Sequence, residues 1–361
     1  MVPSPWVRTE SVPPPAYQRA VARRQTRPPL GIDALTLVTS LHLLALCRAA
    51  VRVAEGRHPA ALPPGRGGRP RTYLPESLLL LALLRVLWRL SYADMSAWLR
   101  AWPALALACG LPLGPDGCPR VPCPATQCLR ARQAGAPVYE LLFVAAVREA
   151  VTRRIMGLRD LVVDSAPVLA WRRDDPDAAY GHAPAHHTAA FLRGFRVHTV
   201  LCRGSGLPAF FRVAPASAHD APFAQPLLAA VVALYGRRPR VVRLDAAYWG
   251  QHLIAWIHAA LGAAAVIPYN PKRTRERACL PPTWTRAEVA KRGSIERFFG
   301  RVFLFFRLQR PPVVGWTAVT QHVALAYTAA LIVALAAHQA GRPDLIRSPK
   351  RVLAYCWEGL T

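Results

Sequence analysis

Leu161-Val162-Val163-Asp164-Ser165 constrains the fold more than any other stretch of this chain. Three apolar, mostly β-branched residues read as a strand buried on both faces. A carboxylate then stands where such a strand would continue with something apolar. An isolated buried carboxylate is costly, so a chain that keeps one there gives it a cation or a partner. The alternative is that the strand has ended and Asp164 caps a turn.

The residues that follow alternate between short apolar strands and helices. Gly194–Cys202 and Pro208–Ala214 read as strands joined by the turn signal Gly204-Ser205-Gly206. Ala221–Leu234 reads as a helix with Asp220 as a ready N-cap. Arg240–Leu244 is a further strand ending in a second carboxylate, Asp245. A helix over Gln251–Leu261 and a strand over Ala263–Pro268 follow. This order predicts a mixed α/β sheet flanked by helices, with Asp164 and Asp245 neighbours if their strands pair. Between the first two strands, Arg172–His187 holds Asp174, Asp175, Asp177, His182, His186 and His187 and reads as a solvated loop.

Upstream the pattern is helical. Residues 1–30, rich in Pro and Arg, read as a disordered basic arm. Gly31–Val53 reads as one helix, and 58–71 as a flexible basic linker. Leu74–Arg100 reads as two helices with Ser91 capping the second, a spacing that permits a helix-turn-helix. Pro103–Pro124 reads as a connection and Val138–Met156 as a helix. Residues 31–135 therefore form an expected helical, DNA-binding domain, and 136–361 an α/β domain.

Lys and Arg number 46 against 20 acids, a formal net charge of +26. That excess favours a polyanionic partner, although abundant Arg, Ala and Pro also suggest compositional drift. Cys118, Cys123 and Cys128 match no common zinc spacing, so free thiols in a reducing cytoplasm are expected. Ala324–Ala337 is short of the ~18–20 residues needed to span a bilayer, and a soluble protein is expected. Thr317–Gln339 carries no Asp, Glu, Lys or Arg and reads as a buried helix capped by Thr317.

A third carboxylate, Glu296, opens the stretch Ile295-Glu296-Arg297-Phe298-Phe299-Gly300-Arg301, whose aromatics recur at helical spacing. By itself Glu296 could simply favour a helix N-terminus. In order along the chain stand Asp164-Ser165-x-Pro167, Gly194-x-Arg196-x-His198, Pro215-Ala216-x-x-His219-Asp220, Asp245-x-x-Tyr248 and the Glu296 stretch. Together they resemble the DDE transposases of bacterial insertion sequences. The resemblance implies a ribonuclease H-like domain with Asp164, Asp245 and Glu296 as its catalytic, metal-binding triad. It also implies cleavage at the ends of an insertion sequence and strand transfer into target DNA, by a chain acting as a homodimer.

Hard oxygen ligands suit two Mg²⁺ ions, with Mn²⁺ as substitute. Arg292 resembles the Arg of the family's Tyr-Arg-Glu-Lys signature. Val289 and Phe303 stand where its Tyr and Lys would be, and Ala247 replaces a common Gly. Arg292, Arg297, Arg301, Lys291 and Arg196 are the expected contacts to double-stranded DNA. His198, His219 and Asp220 are expected to position a carboxylate. An inactive DNA-binding remnant, a nuclease without strand transfer and a basic architectural protein are the alternatives.

Overall fold

The computed structural model describes residues 28–57, 72–183, 190–270 and 286–354. Residues 1–27 of the basic arm expected over 1–30, the linker over 58–71, His186 and His187 lie outside them.

Strand β1 (Asp160–Leu169) does not stop at Asp164 but runs five residues past it. Its long antiparallel partner β3 (Phe191–Cys202) lies opposite throughout, with Asp164 facing Thr199 and Ser165 facing His198. The reading of Asp164 as a turn cap is therefore overturned: the ladder of β3 holds the backbone extended on both sides of the carboxylate. Along the far side of β3 run β4 (Leu207–Pro215) and the short β2 (Ala179–His182). On the other side of β1, β5 (Val241–Arg243) and then β6 (Ala264–Val266) add in parallel. Three antiparallel strands followed by two parallel ones, in the order β4-β3-β1-β5-β6, give a ribonuclease H-like sheet.

The N-terminal helices are α1 (Ala34–Ser40), α2 (Leu43–Arg57), α3 (Pro75–Leu87), α4 (Tyr92–Ala101), α5 (Pro103–Ala108) and α6 (Pro124–Thr152). The single helix expected over 31–53 is two, bent by 59° where His42 takes a positive φ. Ser91 caps α4 as expected, in a reciprocal capping box with Asp94. The Pro-rich connection contains α5, started by Pro103 at its first position. Helix α6 begins well before the expected Val138 and is broken internally at Gly135, which adopts φ 69°.

After the hairpin come α7 (Ala221–Tyr235), α8 (Gln251–Trp256), α9 (Arg286–Ala290), α10 (Ser294–Phe306), α11 (Trp316–Gln339) and α12 (Pro349–Val352). Helix α11 is apolar and long enough to cross a membrane, but 89% of its apolar window is buried inside the protein. It packs on α6, α3 and β4, so the N-terminal helices and the sheet share one hydrophobic core.

The cap of α11 differs from expectation. Gly315, not Thr317, is the N-cap residue. The loop read as solvated supplies the acceptors: Asp175 takes the Gly315 N–H at 2.9 Å and Asp177 the Trp316 N–H at 2.8 Å. Asp175 is fully buried, because free N–H groups at a helix start favour a carboxylate even inside the core. Asp174 and Asp177 are exposed, and Asp174 pairs with Arg172.

Candidate active site

The parallel pairing of β1 with β5 sets Asp160 against Val241, Leu161 against Val242 and Val162 against Arg243. Asp245 follows two residues after the end of β5, near enough for its charge to act on Asp164. Beyond Arg243 the chain turns into a 3-10 turn, Ala246–Tyr248, and Asp245 starts it by accepting the Ala247 N–H at 2.8 Å. Asn270, just after β6, donates to the Ala246 carbonyl at 3.0 Å and fixes the same turn from the other side.

Glu296 arrives on α10. Ile295, Phe298, Phe299 and Val302 are buried along one face of that helix, which packs its start against β1. Glu296 itself lies on the open side, with its side chain 62% exposed. Arg292 joins it to the first aspartate: Nη1 donates to Asp164 Oδ2 at 2.5 Å and Nη2 to Glu296 Oε1 at 3.1 Å. One guanidinium thus holds both carboxylates.

Arg292 is in turn positioned from below. Arg243 is buried on β5 and pairs through Nε and Nη2 with Asp160 at 2.9 and 3.2 Å. Its Nη1 donates to the Glu288 carbonyl and carboxylate at 3.0 and 2.9 Å, and Lys291 also pairs with Glu288. This network ties the α9 segment, and so Arg292, to the first strands of the sheet. Nothing in the sequence signals the Asp160–Arg243–Glu288 chain, because its members lie far apart along it.

On the other side of Asp164 lies a second polar cluster. Ser165 Oγ donates to Asp220 at 2.6 Å, and Arg196 reaches Ser165 Oγ at 3.0 Å and Asp220 at 3.4 and 3.5 Å. His198 stacks flat on Phe223 at 3.9 Å, with Nδ1 3.5 Å from the Asp220 carboxylate. The expected capping role of Asp220 is corrected here: its side chain caps nothing and faces Ser165 and Arg196 instead. Arg196 spends its guanidinium on this cluster and on the His182 carbonyl. His219, by contrast, is exposed. Tyr248 is buried and its hydroxyl has no hydrogen-bond partner.

The electrostatics follow from burial. Burial pushes the Asp164 carboxyl up to about 7; Arg292 opposes this, while the charges of Asp245 and Asp220 add to it. The short ion pair alone would lower the value, so desolvation wins. The same acids, with burial foremost, hold the Tyr248 hydroxyl well above its ordinary range. Burial lowers His198 to about 4 against the pull of Asp220, so its ring is neutral near pH 7.

By donor type these residues fit a hard divalent cation: carboxylate oxygens, a raised Asp164, and a guanidinium already accepted between Asp164 and Glu296. Among the described residues, however, no three His, Cys, Asp or Glu side chains stand close enough to hold one ion as arranged. Closing such a cage requires Arg292 to give up Glu296 and Asp164. Phe303, at the signature's Lys position, stacks on Phe299 at 6.0 Å and packs against the core edge, which removes it from any role as a charge.

The chain matches the family model for the transposase DDE domain over residues 156–332. No curated protein matches it. Among solved structures it is similar to a cryo-EM structure of the piggyBac transposase synaptic complex with hairpin DNA. That similarity is 8% identity over 88% of this chain and 78% of the other, at a TM-score of 0.43, too slight to carry weight. The matched span begins just before β1 and takes in both aspartates, Glu296 and most of α11: residues 156–332 of this chain are a transposase DDE domain.

Proposed function

We propose that the chain cuts DNA at the ends of a mobile element and joins the freed 3′ hydroxyls to target DNA. In this reading Asp164, Asp245 and Glu296 are the catalytic carboxylates. The observation that supports it most is the sharing of Arg292 by Asp164 and Glu296, beside an Asp245 whose charge acts on Asp164. Divalent ions, Mg²⁺ with Mn²⁺ as substitute, would activate the attacking oxygen and stabilise the leaving one. A bound cation would displace the proton that burial and the negative charges of Asp245 and Asp220 favour on Asp164, since a ligand carboxylate is ionised. Ser165 and Arg196 keep the Asp220 carboxylate engaged beside it. Arg292, once released from the acids, is the nearest cation to meet the phosphate being cut.

Purified protein, Mg²⁺ and duplexes carrying the inverted repeats that flank its gene provide the test. Asp164→Ala, Asp245→Ala and Glu296→Ala are each expected to lower end cleavage by at least a hundredfold while leaving DNA binding intact. Cleavage by Asp164→Ala at the parent's rate would refute the triad. Joined products in a plasmid target separate a transposase from a nuclease of the same fold. A chain that only binds DNA is the second reading, favoured by the packing of Phe303 where a charge is expected; it shows no metal-dependent cutting.

A further inference from the structure

Most arginines near the carboxylates are paired with acids: Arg292 with Asp164 and Glu296, Arg243 with Asp160 and Glu288, Arg196 with Asp220. Arg297, Arg301 and Arg347 are different. Among the described residues none of the three forms an ion pair, and two of them are held by the same turn. Arg301 Nη2 donates to the Gly206 carbonyl at 2.9 Å. Arg347, arriving from beyond α11, donates through Nε to the Ser205 carbonyl and through Nη2 to the Gly204 carbonyl, both at 2.6 Å.

The turn Gly204-Ser205-Gly206 between β3 and β4 is therefore a socket. Three successive carbonyls face two guanidiniums. Gly206 stands at φ 66°, where a Cβ would lie 2.9 Å from Arg347 Nε, so the seat needs a glycine twice over. Stapling the turn accounts for those three hydrogen bonds; Arg297, exposed and four residues before Arg301 on the same face of α10, forms none of them. The charges do feel one another. Burial, then Arg347 and Arg297, push Arg301 down to about 10, and burial with Arg297 also lowers Arg347. Holding like charges together in this way prepares a place for an anion. The guanidiniums keep unused N–H groups, since each has five.

One helix joins the socket to the carboxylates, on faces about 140° apart. Helix α10 starts at Glu296's end and reaches the turn at Arg301, five residues on, or roughly 7.5 Å along the helix. We propose that Arg301 and Arg347, seated on the Gly204–Gly206 turn, together with Arg297 one helical turn before Arg301, bind backbone phosphates of duplex DNA. This rests on the chain acting on DNA as proposed above, and it gives Arg347 and the turn a role that their sequence alone does not suggest.

The test is the salt dependence of binding by the full chain to a labelled duplex, in EDTA so that nothing is cut. For Arg297→Gln and Arg347→Gln, the slope of log affinity against log salt is expected to shrink by about 0.9 for each phosphate no longer neutralised, with affinity falling alike on unrelated sequences. Arg172→Gln, an exposed arginine paired with Asp174, is expected to keep the parent's slope. Arg297 forms no hydrogen bond with the turn, so its variant serves even if Arg347→Gln unfolds. Unchanged slopes in a chain that binds and cuts DNA would overturn the phosphate site alone. Slopes that shrink in a chain unable to cut would support it while removing the catalytic reading. A chain that binds no duplex at all would sink both.

Discussion

Asp164 shows how far burial can outweigh a favourable partner. Its carboxyl sits 2.5 Å from Arg292 and still rises to about 7 from its usual 3.8. In metal-free protein the fold keeps that proton where the unfolded chain has released it. The native state therefore binds more protons between about pH 4 and 7, and stability falls as pH rises through that window. Asp164→Asn is expected to be more stable than the parent at pH 8 in EDTA, by at most ~4 kcal/mol at ~1.4 kcal/mol per unit, and equal to it near pH 4. Urea midpoints at the two pH values read this directly; a gain that does not depend on pH would reject it. Adding Mg²⁺ is expected to raise the parent's midpoint and not the variant's. Tyr248 offers a second check at the same scale. Its buried hydroxyl has no hydrogen-bond partner, so Tyr248→Phe is expected to cost nothing or to stabilise by up to ~1 kcal/mol in metal-free protein.

Among the elements, those with local signals were legible and those made by distant partners were not. The strands around Asp164 and Asp245 follow from short β-branched runs, and α4 from Ser91 and Asp94 three residues apart. What the sequence could not reveal was that Asp175 and Asp177, in a loop diluted by Pro and Ala, would cap a helix that starts at residue 316. Nor could it show that Arg243 meets Glu288, or that Asp220 turns away from its own helix. Each of these needs the tertiary fold to bring a partner near. The three carboxylates were legible only as an ordered set of motifs; that one arginine spans two of them was not. Cap loss gives the measurable consequence. Asp175→Ala leaves the Gly315 N–H without its acceptor inside the core and is expected to destabilise by ~2 kcal/mol, against ~1 kcal/mol for Asp177→Ala at the more open edge. Equal, negligible shifts in the urea midpoint would mean that the start of α11 finds other partners.

At the scale of the whole molecule, α11 decides how the parts cooperate. The sequence suggests a helical unit over 31–135, with a basic linker inside it, and an α/β unit from 136 onward, but the core does not divide at that boundary. Leu80, Leu83 and Leu84 of α3, Leu142 and Phe143 of α6, and Tyr327 and Leu331 of α11 belong to one buried cluster with Leu161, Val162 and Val163 of β1. Tyr327 also shares a 2.6 Å hydrogen bond with Thr199, the residue opposite Asp164 across the sheet. Two contacts between the N-terminal helices and the segment after α12 close the circuit: Ile32 bridges Leu353, and the Trp88 indole donates to the Ala354 carbonyl at 2.9 Å. Apolar surface shared in this way cannot be exposed on one side without exposing the other, so the helices and the sheet should unfold together. Helical circular dichroism and tryptophan fluorescence are expected to trace one coincident urea transition. Leu331→Ala, a fully buried leucine on α11, is expected to move both probes together by ~2–5 kcal/mol. If the helical signal of the N-terminal region melted earlier and ignored that substitution, the helices would be a separate unit resting on the sheet, and the shared core would contribute little to holding the carboxylates in register.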